Sequence, residues 1–194
     1  MQILRNIIDD NKLTPESVPP FEAKIFFEGA QRRANLERLA VLLILSTVIA
    51  TYGVLGDSTA TVIGAMIIAP LMRPIMATAA ALVMGRMGRA IRSGLVVIAG
   101  VAGVIGVAWL LTALNSTVIV SFETNSQITS RISPRLIDLY AALAAGAAGA
   151  FAMSRDDIAD SLPGVAIAIS LVPPLCVAGI GLAQGEWGAA WGAG

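Results

Sequence analysis

"GAMIIAPLMRPIM", Gly64 to Met76, sets two prolines and an arginine inside an otherwise apolar run. Proline lacks the N–H a helix needs, and its ring clashes with the carbonyl four residues back. An arginine at the centre of a bilayer costs ~3 kcal/mol or more. The surrounding chain makes a bilayer the natural setting. Of 194 residues, 56% are hydrophobic and 13% charged, against about 25% charged in soluble domains. Apolar runs near 20 residues recur, which is the length that crosses ~30 Å of hydrocarbon. The expected fold class is all-α, a multi-pass transmembrane helical bundle containing Pro-interrupted helices.

Composition also removes function classes. Thirteen basic and thirteen acidic residues balance to zero net charge with no basic block, so no nucleic-acid partner is expected. Histidine is absent and Cys176 is the single cysteine. That removes the commonest metal ligand, the usual general base and any internal disulfide, so no cofactor or metal is expected. HExxH, GxSxG and Walker A patterns are missing, and the "GDS" at Gly56–Ser58 has no histidine to activate its serine. The chain is not expected to be an enzyme. The N-terminal "MQILRNIIDDNK" has acids where a signal peptide has its apolar core, which leaves the first span as the membrane signal.

Residues 1–37 form a polar, mixed-charge region, cytoplasmic or interfacial, with Phe21, Ile25 and Phe26 suited to the headgroup zone. Residues 38–194 form the membrane domain. Spans are expected at about Leu39–Leu55, Ser58–Gly85, Ser93–Leu114, Ile137–Met153 and Leu162–Ala183. The second run has 28 residues, ~42 Å as a straight helix, and must tilt, bend or break. Arg86, Arg89 and Arg92 crowd the second connection, whereas "GDSTAT" in the first has no positive residue. The positive-inside rule then puts the N-terminus in the cytoplasm, in the inner membrane of the cell. Arg131 and Arg135 in the third connection dissent mildly.

Residues 64–94 align without gaps on residues 164–194, with 9 identities in 31 positions. They include Leu71 with Leu171, Pro74 with Pro174, Gly85 with Gly185 and Gly88 with Gly188. Two units follow, one about 36–114 and one about 136–194. Three spans per unit is an odd number, so the units enter the membrane in opposite senses, an inverted-topology repeat of the kind that builds secondary transporters. Gly194 stands where Gly94 opens the third span, so a sixth span is expected beyond the end of this sequence.

Pro70 and Pro74 deprive the carbonyls of Met66 and Pro70 of partners, and Pro173 and Pro174 do the same to Ile169 and Ser170. Arg73 and Pro173, each before a proline, are the expected break points. Unpaired backbone in a bilayer survives only when buried in protein or facing water. The expected solute or ion path is therefore lined by Met66, Pro70, Arg73, Pro74, Ile169, Ser170, Pro173 and Pro174. Arg73 could line that path, brace the freed carbonyls with its five donors, or pair with Asp57, Asp138 or Asp157. "DSTAT" after Gly56 reads as an N-cap cluster. Small-residue faces (Gly100, Gly103, Gly106; Ala142, Ala145, Gly146, Gly149) suit helix contact within or between subunits, and a homo-oligomer in membrane lipid is expected. Trp109, Trp187, Trp191 and Tyr52 fall near span ends, as interface anchors do.

From about residue 25 to 190, the sequence resembles the bacterial and archaeal membrane proteins grouped as domain-of-unknown-function family 389. The likeness rests on "DSTATVIGAMIIAPLMRPI" (Asp57–Ile75) and "ISLVPPL" (Ile169–Leu175). The resemblance implies an inner-membrane protein of about six spans, sometimes with soluble parts, and supplies no substrate. It also implies no fixed arginine at position 73, which shifts weight to the prolines and the backbone. The function expected is a transporter or channel for a small solute or ion. The alternative is a non-transporting membrane scaffold or sensor subunit that acts through its N-terminal region or oligomer contacts.

Overall fold

The computed structural model describes residues 26, 32–115, 121–133, 135–153 and 171–193. Among these there are eight helices and no strand. They are α1 (Arg32–Leu55), α2 (Thr59–Ile68), α3 (Met72–Val83), α4 (Met87–Leu114), α5 (Ser126–Ile132), α6 (Leu136–Met153), α7 (Val172–Gln184) and α8 (Trp187–Ala193). α1 and α4 are long and apolar enough to cross a membrane, and α2 with α3 makes a third span if the bent pair counts as one.

α1 and α2 form a tight hairpin. Asp57 takes φ +47 in the turn, a left-handed conformation that aspartate tolerates better than most residues. Ser58 then caps α2, its Oγ accepting from the Thr61 amide at 3.4 Å. A Cβ on Gly53 would stand 2.9 Å from Val62 Cγ2, so the two backbones approach as closely as glycine allows.

Beyond Ile68 the chain stops being helical until Met72, and α3 leaves at 51° to α2. Ala69, which precedes Pro70, takes ψ 121, as the pre-proline clash favours. The interruption falls one turn earlier than the break expected at Arg73. Pro74, expected to free a helical carbonyl, instead occupies the third position of α3, where an N–H would have no intrahelical acceptor in any case. α3 and α4 then form a second hairpin. Gly85 at φ +67 lets the Arg86 amide reach Ala81 O at 2.9 Å and its own amide reach Leu82 O at 3.1 Å. These are the two bonds of a Schellman cap.

α1 and α4 run side by side in the same direction. Arg32 and Leu36 share one groove with Arg92 and Val96; at the other end, Asn115 Nδ2 donates to Tyr52 Oη at 3.2 Å. α3 packs back along the first half of α4, with Thr78 beside Gly94 and Ala77 and Ala81 clustered with Ala90. Phe26 is buried in that cluster; Phe21 and Ile25 lie outside the described residues. α7 packs along the second half of α4. A Cβ on Gly179 would come within 2.7 Å of both Ala108 Cβ and Ile105 O.

α6 matches the expected fourth span in position, yet is exposed along nearly its whole length. The expected fifth span is described only from Leu171 onward. Of the glycines on the expected α4 face, Gly100 receives Leu71 and Leu43, whereas a Cβ on Gly103 or Gly106 would touch nothing within 4 Å.

Candidate functional site

α3 and α7 start in the same way. Leu71 and Leu171 precede their helices with right-handed helical torsions and no side-chain cap. The Ile75 amide donates to Leu71 O at 3.3 Å, and the Leu175 amide to Leu171 O at 3.2 Å. Both helices end at a left-handed glycine, Gly85 or Gly185, and the Glu186 amide bonds Gly181 O at 2.9 Å as Arg86 bonds Ala81. The next helices begin at Met87 and Trp187.

These two helix starts border one buried cluster. Leu71, Val172, Leu175 and Cys176 belong to one buried cluster with Leu43 of α1 and Val104 of α4. From this level α3 runs toward the Arg86 end of α4, and α7 runs the other way, toward Ile128 and Val54. Two helix N-termini, each the positive end of a dipole, thus border the same buried cluster, with their helices running in opposite directions from it. A helix start ordinarily offers several amides to an anion. Here Pro74 in α3, and Pro173 and Pro174 in the first turn of α7, carry no N–H, so that cradle is depleted.

The residues expected to line a path are distributed around this junction. Pro74 and Pro173 are fully buried in it, while Pro70 and Pro174 are half-buried at its margin. Met66 packs on the other side of the interruption, against the Val54–Val62–Ile128 cluster. Arg73 is exposed. Of its candidate partners, Asp138 accepts from the Arg135 amide at 2.8 Å, and Asp57 sits in the α1–α2 turn, occupied as described below. Ile169, Ser170 and Asp157 lie outside the described residues.

Polar groups that sequence reasoning passed over face the same junction from α1. Ser46 Oγ and Thr47 Oγ1 both donate to Leu43 O, at 3.0 and 2.7 Å. Thr51 Oγ1 is buried with no hydrogen-bond partner among the described residues. It stands beside the Cys176 thiol without meeting hydrogen-bond geometry, and Cys176 Sγ points instead to Thr47 O at 3.9 Å. The available signal was three hydroxyls in six residues of an apolar span.

At the end of α1 a polar network ties α5 down. Asn125, buried, caps α5 by accepting from the Gln127 and Ile128 amides at 2.9 and 3.1 Å. Its Nδ2 donates to Val54 O at 2.7 Å. Asp57 Oδ1 accepts from Ser126 Oγ at 2.6 Å and the Gln127 amide at 3.1 Å. The Ser126 hydroxyl, helped by Gln127 and opposed by desolvation, holds the Asp57 carboxyl below its usual value. A depressed carboxylate contributes stability that is complete above the unfolded pKa and disappears as pH falls through the folded one. Asp57→Asn is therefore expected to lower the thermal midpoint in detergent at pH 7, with the gap to wild type closing below about pH 4. A pH-independent gap would mean the ionised form adds nothing.

Residues 66–194 match a family described as "Domain of unknown function (DUF389)". The chain belongs to that family. The matched region begins inside α2 and takes in both proline-led helix starts. Among DUF389-like proteins, the uncharacterized protein MJ0678 of Methanocaldococcus jannaschii is 35% identical over 153 residues. The alignment covers 78% of this chain and 46% of that protein, so the chain spans about half the relative's length. No solved structure matches it. The family expected from "DSTATVIGAMIIAPLMRPI" is thus borne out, though the match starts later than the resemblance from residue 25.

Proposed function

We propose that this DUF389 chain is the core of a transporter or channel for a small solute or ion, built from two three-span units of opposite sense. Its site lies where α3 and α7 begin. One observation carries this: helices with matching starts and glycine ends, 100 residues apart, leave one level of α4 in opposite directions. Repeat-built transporters place substrate between such broken helices near mid-membrane. The N-terminus is cytoplasmic in this scheme, because Arg32 of α1 and Arg86, Arg89 and Arg92 line one pocket at one end of the molecule and positive charge favours that side.

The depleted amides argue against an anion held by the helix starts. What remains within reach is the Thr51 hydroxyl and backbone carbonyls, which suit a cation or a neutral polar solute. The junction around Leu71 and Val172 is tightly packed, so passage requires it to open. That packing is also what a scaffold would have, and it is the observation that favours the second reading, a non-transporting membrane subunit.

Reconstituting the full-length protein in liposomes with a panel of ions and small acids separates the two. Flux above protein-free vesicles is expected, and it should fall in Thr51→Val. That variant should fold as well as wild type or better, since an unsatisfied buried hydroxyl costs about 1–3 kcal/mol. No flux with any solute, or flux indifferent to Thr51, Pro70 and Leu71 substitutions alike, would move function away from this junction.

A further inference from the structure

α5 stands at the end of the molecule opposite Arg32 and Arg92, where α1 turns into α2. Its inner face is Ile128, fully buried against Val54 of α1, Val62 of α2, and Val177 and Ile180 of α7. Its other face, with Ser126, Thr129 and Ser130, is exposed. Val54 lies about one turn of α1 beyond Thr51, and Val177 adjoins Cys176, so Ile128 sits just outside the Thr51–Cys176 pair. A layer one helix thick separates that pair from this end of the molecule.

α5 is held in two different ways. Toward α1 and α2 the grip is polar. Asn125 Nδ2 donates to Val54 O, Ser126 Oγ to Asp57 Oδ1, and Gln127 Nε2 to Thr59 Oγ1 at 2.7 Å. Asp57, Thr59 and Ser126 are exposed, so water can replace the last two bonds at small net cost. Toward α7 and α8 the grip is apolar. Ile128 lies in the cluster of Val177 and Ile180, and Ile132 lies so close to Gly192 that an added Cβ there would stand 2.8 Å from Ile132 Cγ2. Water offers those contacts nothing in exchange. The seam that parts more easily is the one facing the α1–α2 turn.

We propose that α5 is the outer gate of the junction, latched to the α1–α2 turn by Asn125, Ser126 and Gln127, and moving with α7 and α8 when it opens. The inference rests on the reading of the junction as the site. Opening along this seam admits water to Thr51 from the side opposite the arginines. α7 meanwhile stays seated on α4, where Gly179 leaves no room to shift.

The test is labelling of the full-length protein, in vesicles of known orientation, with a membrane-impermeant maleimide. Native Cys176 reports whether water reaches the junction, and Val177→Cys with Cys176→Ala reports whether α5 has lifted; Val177 and Cys176 are both fully buried. With the latch intact both should react slowly. Ser126→Ala should speed both about tenfold and Asn125→Ala about a hundredfold, from the side opposite the arginines only. Ala77→Cys with Cys176→Ala, buried at the other end, should stay protected in both latch variants; if Asn125→Ala exposes it by unfolding, Ser126→Ala decides. Rates unmoved by the latch variants would overturn the proposal, as would labelling from the arginine side. So would a reactive position 177 above a still protected Cys176. Latch-controlled labelling without flux of any solute would remove the transport reading and leave the gate, and flux without such labelling would do the reverse.

Discussion

Gly179→Leu is expected to unseat α7 from α4 and to cost more than about 4 kcal/mol, at the severe end of single substitutions. The reason is local. An added Cβ would lie 2.7 Å from Ile105 O and Ala108 Cβ and 3.1 Å from the Trp109 amide nitrogen. Two of those atoms are backbone of a regular helix and have no rotamer to change. Gly179→Ala alone should cost about 1–3 kcal/mol, the usual range for overpacking, although alanine is the better helix former by ~1 kcal/mol. Gly103→Ala is the control, because its Cβ touches nothing within 4 Å and only the propensity gain remains. Thermal midpoints in detergent should fall steeply at 179 and hold or rise at 103. Equal tolerance at both positions would mean α7 does not lie on α4.

Asn125→Leu is expected to release α5 from the end of α1 at a cost of about 3–5 kcal/mol, combining a lost cap with buried groups left unpaired. Leucine keeps the branched outline but puts two larger methyls in place of the polar atoms, so the lost hydrogen bonds are joined by some overpacking at this buried site. The Val54 carbonyl would lose its 2.7 Å donor, and the Gln127 and Ile128 amides their shared acceptor. The damage should be regional. Amide exchange across Ser126–Ile132 should accelerate strongly while α1 and α4 keep their protection. Unchanged exchange in α5 would show that Ile128 and the apolar contacts hold it without the cap.

The long apolar helices were legible because membrane spans are set by composition and length. α4 starts earlier than the expected Ser93, since Arg86 to Arg92 suit a helix end in the headgroup zone as well as they suit a loop. The interruption near Pro70 was legible from excess length, but its register was not. A proline in the first turn costs a helix nothing, so Pro74 could not be told from Pro70 until the helix start was known. The glycine pair Gly85 and Gly185 was the clearest local signal, and both take the left-handed torsion. Docking of α5 was illegible as tertiary structure. Asn125 and Val54 are 71 residues apart, and a stretch read as a polar loop gives no hint of such a partner, though Asn125 ahead of Ile128 had the pattern of a cap. The basic pocket needed the parallel arrangement of α1 and α4, which no local pattern encodes.

The opposed directions of α3 and α7 are the claim on which the proposed function stands, and side-specific labelling tests them most directly. Met87 and Trp187, equivalent positions in the two units, are 61% and 64% exposed, and native Cys176 is fully buried. Met87→Cys and Trp187→Cys would be introduced singly into the full-length protein, in vesicles of known orientation, and treated with a membrane-impermeant maleimide. Labelling from opposite faces, with position 87 on the cytoplasmic side, is the predicted result. Labelling of both from the same face would contradict it.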